Sequence, residues 1–145
     1  MTINNFLAAI AGKLKELWPE RNVYVNQIPQ HADGNFFVGV SDIEQDRHLD
    51  RRRKRHLQFE ILYFLKSHDN MEFNEWLESM LDNFEKLTVK ESDTKVRGVH
   101  LMNLEARQND DMHAYQFVFD ADLFFLIAPE EGEEMQNLTL KEGIG

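Results

Sequence analysis

The densest chemistry in this chain is a run of cations. Arg47, Arg51, Arg52, Arg53, Lys54, Arg55 and His56 fall within one short stretch. Clustered guanidinium and ammonium groups suit phosphates or carboxylates, so the run fits either a nucleic-acid patch or a contact with an acidic protein. No aromatic side chain is interleaved to stack on bases. The chain as a whole carries a net charge of −10, which repels DNA, RNA and anionic lipid. A solvated hairpin or a protein–protein contact is therefore the favoured reading, with a nucleic-acid-binding module using 47–56 as an alternative.

The other candidates for chemistry each have a plainer explanation. Histidines occur at 31, 48, 56, 68, 100 and 113, none at a helical ligand spacing with a carboxylate. His100 falls on the apolar side of its strand and reads as a hydrogen-bonded core histidine. Asp110, Asp111 and His113 share a turn that could hold a metal, but turn chemistry accounts for the two aspartates equally well. Asp120 and Asp122 share a strand face, the arrangement used for acid–base work. No glycine-rich or histidine-bearing loop stands beside them in sequence, and alternation alone explains the pair. The acids from Glu130 to Glu134 lack a calcium-loop pattern. Phosphate loops, nucleophile elbows and kinase motifs are absent. The chain has no cysteine, which removes disulfides, thiolate zinc sites and a thiol nucleophile together and fits folding in a reducing cytoplasm. These observations predict a protein without catalytic residues, metal or cofactor. A small hydrolase stands as the most distant alternative.

Positioning these residues requires one core. The 145 residues, 42% apolar and 29% charged, with eleven Phe, suit a single globular domain with an aromatic interior. Met1-Thr-Ile-Asn-Asn lacks the basic start of a signal peptide, and no apolar run approaches the ~18 residues of a membrane span. A first helix is predicted over 3–18, from Ile3, Phe6, Leu7, Ile10, Leu14, Leu17 and Trp18 on one face, with Thr2 as cap and Pro19 as stop. A short strand follows at 23–25, then a loop at 29–34. A second helix is predicted over 70–87, opening on Asp69 and Glu72 and burying Phe73, Trp76, Leu77, Met80, Leu81, Phe84 and Leu87. A hydrophilic loop at 90–95 leads to strands at 96–106 and 113–127, the latter alternating through Tyr115, Phe117, Phe119, Ala121, Leu123, Phe125 and Ile127.

Residues 36–46 and 51–65 read as two strands of a hairpin. Paired across a four-residue loop, they set Val40, Val38 and Phe36 opposite Leu57, Phe59 and Ile61. The same register sets Asp42, Glu44 and Asp46 opposite Arg55, Arg53 and Arg51. Each such pair favours its register by roughly 0.2–1 kcal/mol. The expected result is a hairpin rooted in the core whose charged outer half projects beyond it. The predicted class is α+β: an antiparallel-rich sheet of about five strands, two helices on one face, order α-β-β-β-α-β-β. Residues 1–128 form the domain and 129–145 an acidic tail or arm.

The stretch Arg51-Arg-Arg-Lys-Arg-His-Leu-Gln-Phe-Glu-Ile-Leu-Tyr-Phe64 resembles the tail-terminator proteins of tailed phages and prophages of Gram-positive bacteria. The opening helix ending Leu17-Trp-Pro19, the strand Asn35-Phe-Phe-Val-Gly-Val40, the tryptophan-bearing helix from Phe73 to Leu87 and the strand from His113 to Phe125 agree with it. The resemblance covers about residues 1–128. It implies a virion protein, assembled in the host cytoplasm, that forms a hexameric ring on the last ring of tail-tube protein. Such a ring stops tube growth and offers the surface for a head–tail connector protein, with DNA passing only through the lumen and no membrane involved. The expected subunit interface is the hairpin: Arg47, Arg51, Arg52, Arg53, Lys54 and Arg55 with Asp42, Glu44 and Asp46. A head-completion or neck protein of similar size is the nearest alternative.

Overall fold

Thr2 starts the first helix as expected: its hydroxyl accepts from the Asn5 amide at 3.1 Å, and the Asn5 side chain accepts from the Thr2 amide at 2.8 Å. This helix, α1, spans Ile3–Leu17 and buries Phe6, Ile10 and Leu14. The computed structural model describes residues 2–26, 34–47, 50–64, 70–109 and 114–126. The loop predicted at 29–34 (except Gly34), Asp69, the turn with Asp110, Asp111 and His113, the histidines at 31, 48 and 68, and the acidic segment 129–145 lie outside the described residues.

Among the described residues, seven strands and a second helix follow: β1 Val23–Tyr24, β2 Phe36–Arg47, β3 Arg52–Tyr63, α2 Asn70–Asn83, β4 Lys86–Lys90, β5 Val96–His100, β6 Met102–Asn109 and β7 Ala114–Leu126. The class is α+β. Five strands form one mixed sheet in the order β1-β2-β3-β7-β6, with β1 parallel to β2 and the rest antiparallel. β4 and β5 form a separate two-stranded sheet.

Both helices pack on one face of the large sheet. Phe6 stacks on Phe59 at 5.3 Å, Phe73 stacks on Tyr115 at 3.9 Å, and Trp76 meets Phe36, Tyr63 and Phe117. The core is aromatic throughout, with Phe6, Phe36, Phe59, Phe84, Phe117 and Phe119 fully buried. On the opposite face Leu62, Phe64, Ala114 and Phe37 form a smaller apolar cluster.

Three predicted elements differ. The second helix stops at Asn83, where the Asn83 amide group donates to the Ser79 carbonyl at 2.7 Å, and residues 86–90 become a strand. Leu87 and Val89 are buried while Lys86, Thr88 and Lys90 face out, a strict period of two. Leu81, on the predicted stripe, is exposed. The single strand predicted over 96–106 is two strands in different sheets, broken at Leu101, whose amide donates to the Glu85 carbonyl at 2.8 Å.

The hairpin exists, but its register differs. Phe36, Val38 and Val40 stand opposite Tyr63, Ile61 and Phe59, two residues from the predicted partners. A bulge between Val40 and Asp42 then shifts the outer half by one more residue, so Asp42, Glu44 and Asp46 face Gln58, His56 and Lys54. The aromatic contact of Phe36 with Tyr63 at 4.9 Å anchors the inner half. Exposed charge pairs worth a few tenths of a kcal/mol do not outweigh it.

Candidate subunit interface

The outer half of β2 is exposed from Ser41 to Arg47, and β3 has no buried residue from Arg52 to His56. A 12-residue strand is about 40 Å long, whereas the 15-residue α1 is about 22 Å, so the helices leave the far end of the sheet uncovered. This projection is not a free hairpin. β7 runs alongside β3 to its end, with Arg52 opposite Leu126, making a three-stranded ribbon.

Arg52 lies over the Phe124 ring at 5.1 Å. Arg53 donates to the carbonyls of Asp50 at 3.0 Å and Arg52 at 2.8 Å. Arg55 Nε donates to Gln45 Oε1 at 2.7 Å. Among the described residues, Arg47, Arg52 and Arg53 form no ion pair with a carboxylate, and Arg47 stands directly opposite Arg53. Like charges in that position are unfavourable unless an outside anion relieves them. Of the predicted interface residues, Arg47, Arg51, Arg52 and Arg53 thus gather at the ribbon tip. Lys54 turns to the open face of the sheet, and Asp42, Glu44 and Asp46 line the exposed edge strand.

At the root of the ribbon the fold assembles a cluster that sequence reasoning missed. The Nδ1–H of His56 donates to Asp122 Oδ1 at 2.5 Å, its Nε2 lies 3.7 Å from Asp120 Oδ2, and Lys54 Nζ lies 3.5 Å from Asp122 Oδ2. Asn103, at φ 55°, donates to Asp120 Oδ2 at 2.8 Å. Asp120 is buried, and its Oδ1 has no partner among the described residues. The hydrogen bond to Asp122 raises the His56 pKa above the ordinary histidine value. Burial opposes the shift, and the charges of Asp122, Asp120 and Glu44 add to it. Both imidazole nitrogens face carboxylates rather than a hydroxyl, so the arrangement pins β3 to β7 and presents no nucleophile. Only the pairing of β3 with β7 brings His56 to Asp122, across 66 residues, and no local signal announces it.

His100 is exposed rather than a core histidine, because the break at Leu101 puts it on the outer side of β5. It lines an open cleft with Arg97, Met102, Asp122 and Phe124. Among the described residues, no three His, Asp or Glu side chains are arranged to hold a metal ion, and no helix is long and apolar enough to cross a membrane.

A small α+β subunit with a long charged ribbon is an architecture suited to assembly. Residues 5–133 match the family model described as phage tail terminator protein, and the chain belongs to that family. The family is one of structural proteins of phage tail assembly, which places the chain among the proteins of the virion. No curated protein matches the chain.

Proposed function

We propose that this chain is the subunit of a ring that caps the phage tail tube, ends its polymerisation and provides the surface to which the head is joined. The observation that carries this reading is the family match over residues 5–133. In this reading the ring is a hexamer assembled in the host cytoplasm. Its neighbours are the tail-tube protein and a head–tail connector protein, DNA only passes through the lumen, and no catalysis or cofactor is involved. The ribbon supplies the contact between subunits through Arg47, Arg51, Arg52, Arg53, Lys54 and Arg55, with Asp42, Glu44 and Asp46 along its edge. An arm that reaches past its own core is suited to a head-to-tail contact that closes on itself. In this reading residues 1–128 act as the domain and the acidic segment 129–145 serves as an arm that adds to a neighbour.

The test is the mass of the purified protein, alone and with its cognate tail-tube protein, by light scattering and negative-stain microscopy. Rings of roughly six copies, or caps on tubes of fixed length, are expected for a closed heterologous assembly. A monomer that leaves tube ends and tube lengths unchanged overturns the reading.

A further inference from the structure

The end of the sheet opposite the ribbon tip carries a second surface of the opposite charge. An open cleft between the end of α1 and α2 is lined by Trp18, Arg21, Tyr63, Trp76 and the acids Glu20, Glu72 and Glu75. α2 continues the acidic surface with Glu78 and Asp82 and contains no Lys or Arg. Trp76 is only 4% exposed, yet its indole N–H has no hydrogen-bond partner among the described residues, and neither has Arg21 Nε. Buried donors left without acceptors are rare and cost about 1–3 kcal/mol each. The rest of the Arg21 guanidinium is engaged: Nη1 donates to the Gly34 carbonyl at 2.5 Å, and the group sits 5.1 Å from the Tyr63 ring centroid.

These features together define a guest. It must bring acceptors to the Trp76 N–H and to Arg21 Nε, which has only the Glu20 carboxylate at 4.0 Å, and net positive charge to a lining of three acids and one arginine, and it can stack on Trp18, Tyr63 or Trp76. A free anion is disfavoured, because it would face three acids against one arginine. An extended basic peptide satisfies both demands, with main-chain carbonyls for the donors and arginines for the acids and rings.

We infer that this cleft receives the basic tip of the ribbon, Arg47 and residues 50–55, from a second copy of the chain. The ribbon's own tip cannot reach it, because β3 alone holds Arg52 and Tyr63 about 36 Å apart. The contact is therefore between copies, and it joins unlike surfaces, tip to cleft, so it propagates head-to-tail. Arg47, Arg52 and Arg53 supply the cations, and the acids relieve the repulsion of Arg47 and Arg53 across the tip. This rests on the ring reading above and names the acceptor surface that reading leaves open.

The test uses two full-length variants at exposed positions, Arg47→Glu/Arg52→Glu at the tip and Glu20→Lys/Glu75→Lys at the cleft, each checked by circular dichroism for an unchanged fold. The tip variant cuts the net charge of residues 47–55 from +5 to +1, and the cleft variant turns the cleft lining from acidic to basic, so that it repels the tip. By sedimentation velocity, each alone is expected to associate at least tenfold more weakly than the wild type, and an equimolar mixture to recover association as one-to-one pairs that join the cleft variant's intact tip to the tip variant's intact cleft. Both tryptophans of the chain line the cleft, so emission should move to shorter wavelength in the wild type and in the mixture but in neither variant alone. A cleft variant that assembles like the wild type, beside a tip variant that does not, overturns the cleft as acceptor while the ring reading stands. A mixture that fails to recover also overturns it. A wild type that stays monomeric alone and ignores tubes removes the ring reading and this inference together.

Discussion

The bulge at Ser41 makes the ribbon's register testable by covalent trapping. The chain has no cysteine, so paired substitutions report on geometry without background. Gln45 stands opposite Arg55 and Asp46 opposite Lys54. Directly opposed residues in an antiparallel pair have Cα atoms about 4.5–5.5 Å apart, within the range a disulfide spans. Gln45→Cys/Arg55→Cys and Asp46→Cys/Lys54→Cys are consecutive pairs, so one of them occupies the narrow type of site. Charge matching would instead set Asp42 opposite Arg55. In the observed register Asp42 is offset from Arg55 by three residues, or about 10 Å along the strand, beyond the ~7 Å limit for bridging. Under mild oxidation at least one of the first two variants should lose its thiol hydrogens by mass spectrometry, and Asp42→Cys/Arg55→Cys should remain a dithiol. Closing so short a loop should raise stability by up to about 2–3 kcal/mol in urea denaturation, an upper value because the hairpin is already locally ordered. Closure of the Asp42–Arg55 pair, with the other two left as thiols, would refute the bulge and restore the charge-matched ladder.

Other perturbations probe the core and the cluster at the ribbon's root. Phe59→Ala removes a fully buried ring that touches both Phe6 and Phe119, and should cost about 3–5 kcal/mol by urea denaturation with an unchanged slope. Asn103→Ala and Asn103→Gly both delete the bond to buried Asp120, costing about 1–3 kcal/mol, but only alanine must also hold the φ of 55°, so it should be the worse by about 1 kcal/mol. His56 should titrate above the ordinary histidine value by nuclear magnetic resonance, and Asp122→Asn should bring it back down. Because its folded pKa is raised, the stability it contributes is fully present below the unfolded value near 6.5 and is lost as pH rises through the folded value. With its side chain about a third exposed, that contribution is screened and should not exceed about 1 kcal/mol. The difference between wild type and His56→Gln should therefore shrink from pH 6 to pH 8.

What was legible in the sequence was local. The cap at Thr2, the stripe through Phe6, Ile10 and Leu14, and the alternation of β7 each depend on residues a few positions apart. The features that escaped it depend on pairing. Sliding β2 against β3 by two residues leaves every apolar side chain on its face, so the hydrophobic pattern cannot choose between the two registers. The choice falls to packing of Phe36, Tyr63 and Trp76, which meet only after α2 docks. Leu87 fits both a helical stripe ending at Phe84 and the alternation of β4, and only the Thr88-Val89 pair leans toward a strand. The break at Leu101 carries neither Gly nor Pro. It is imposed by β5 joining β4 while β6 joins β7.

Charge distribution links the fold to the proposed assembly. Residues 47–55 hold six Lys or Arg against one Asp, a net +5 in a chain of net −10, so the remaining 136 residues carry −15. A uniformly acidic subunit would repel its copies, and a uniformly basic one would hold DNA. Separating the signs to opposite ends of β3 gives each subunit a polarity that favours tip-to-cleft contact over tip-to-tip or cleft-to-cleft. Attraction of this kind acts mainly on encounter and orientation, and salt screens it over a Debye length of about 8 Å at physiological ionic strength. If the contact were charge alone, raising the salt to about 1 M, where that length falls to about 3 Å, should dissolve the ring. The buried Trp76 N–H and the aromatic walls of the cleft supply short-range contacts that salt leaves intact. Association should therefore weaken with salt to a plateau rather than vanish, and the height of that plateau measures how much of the contact the cleft contributes beyond its three glutamates.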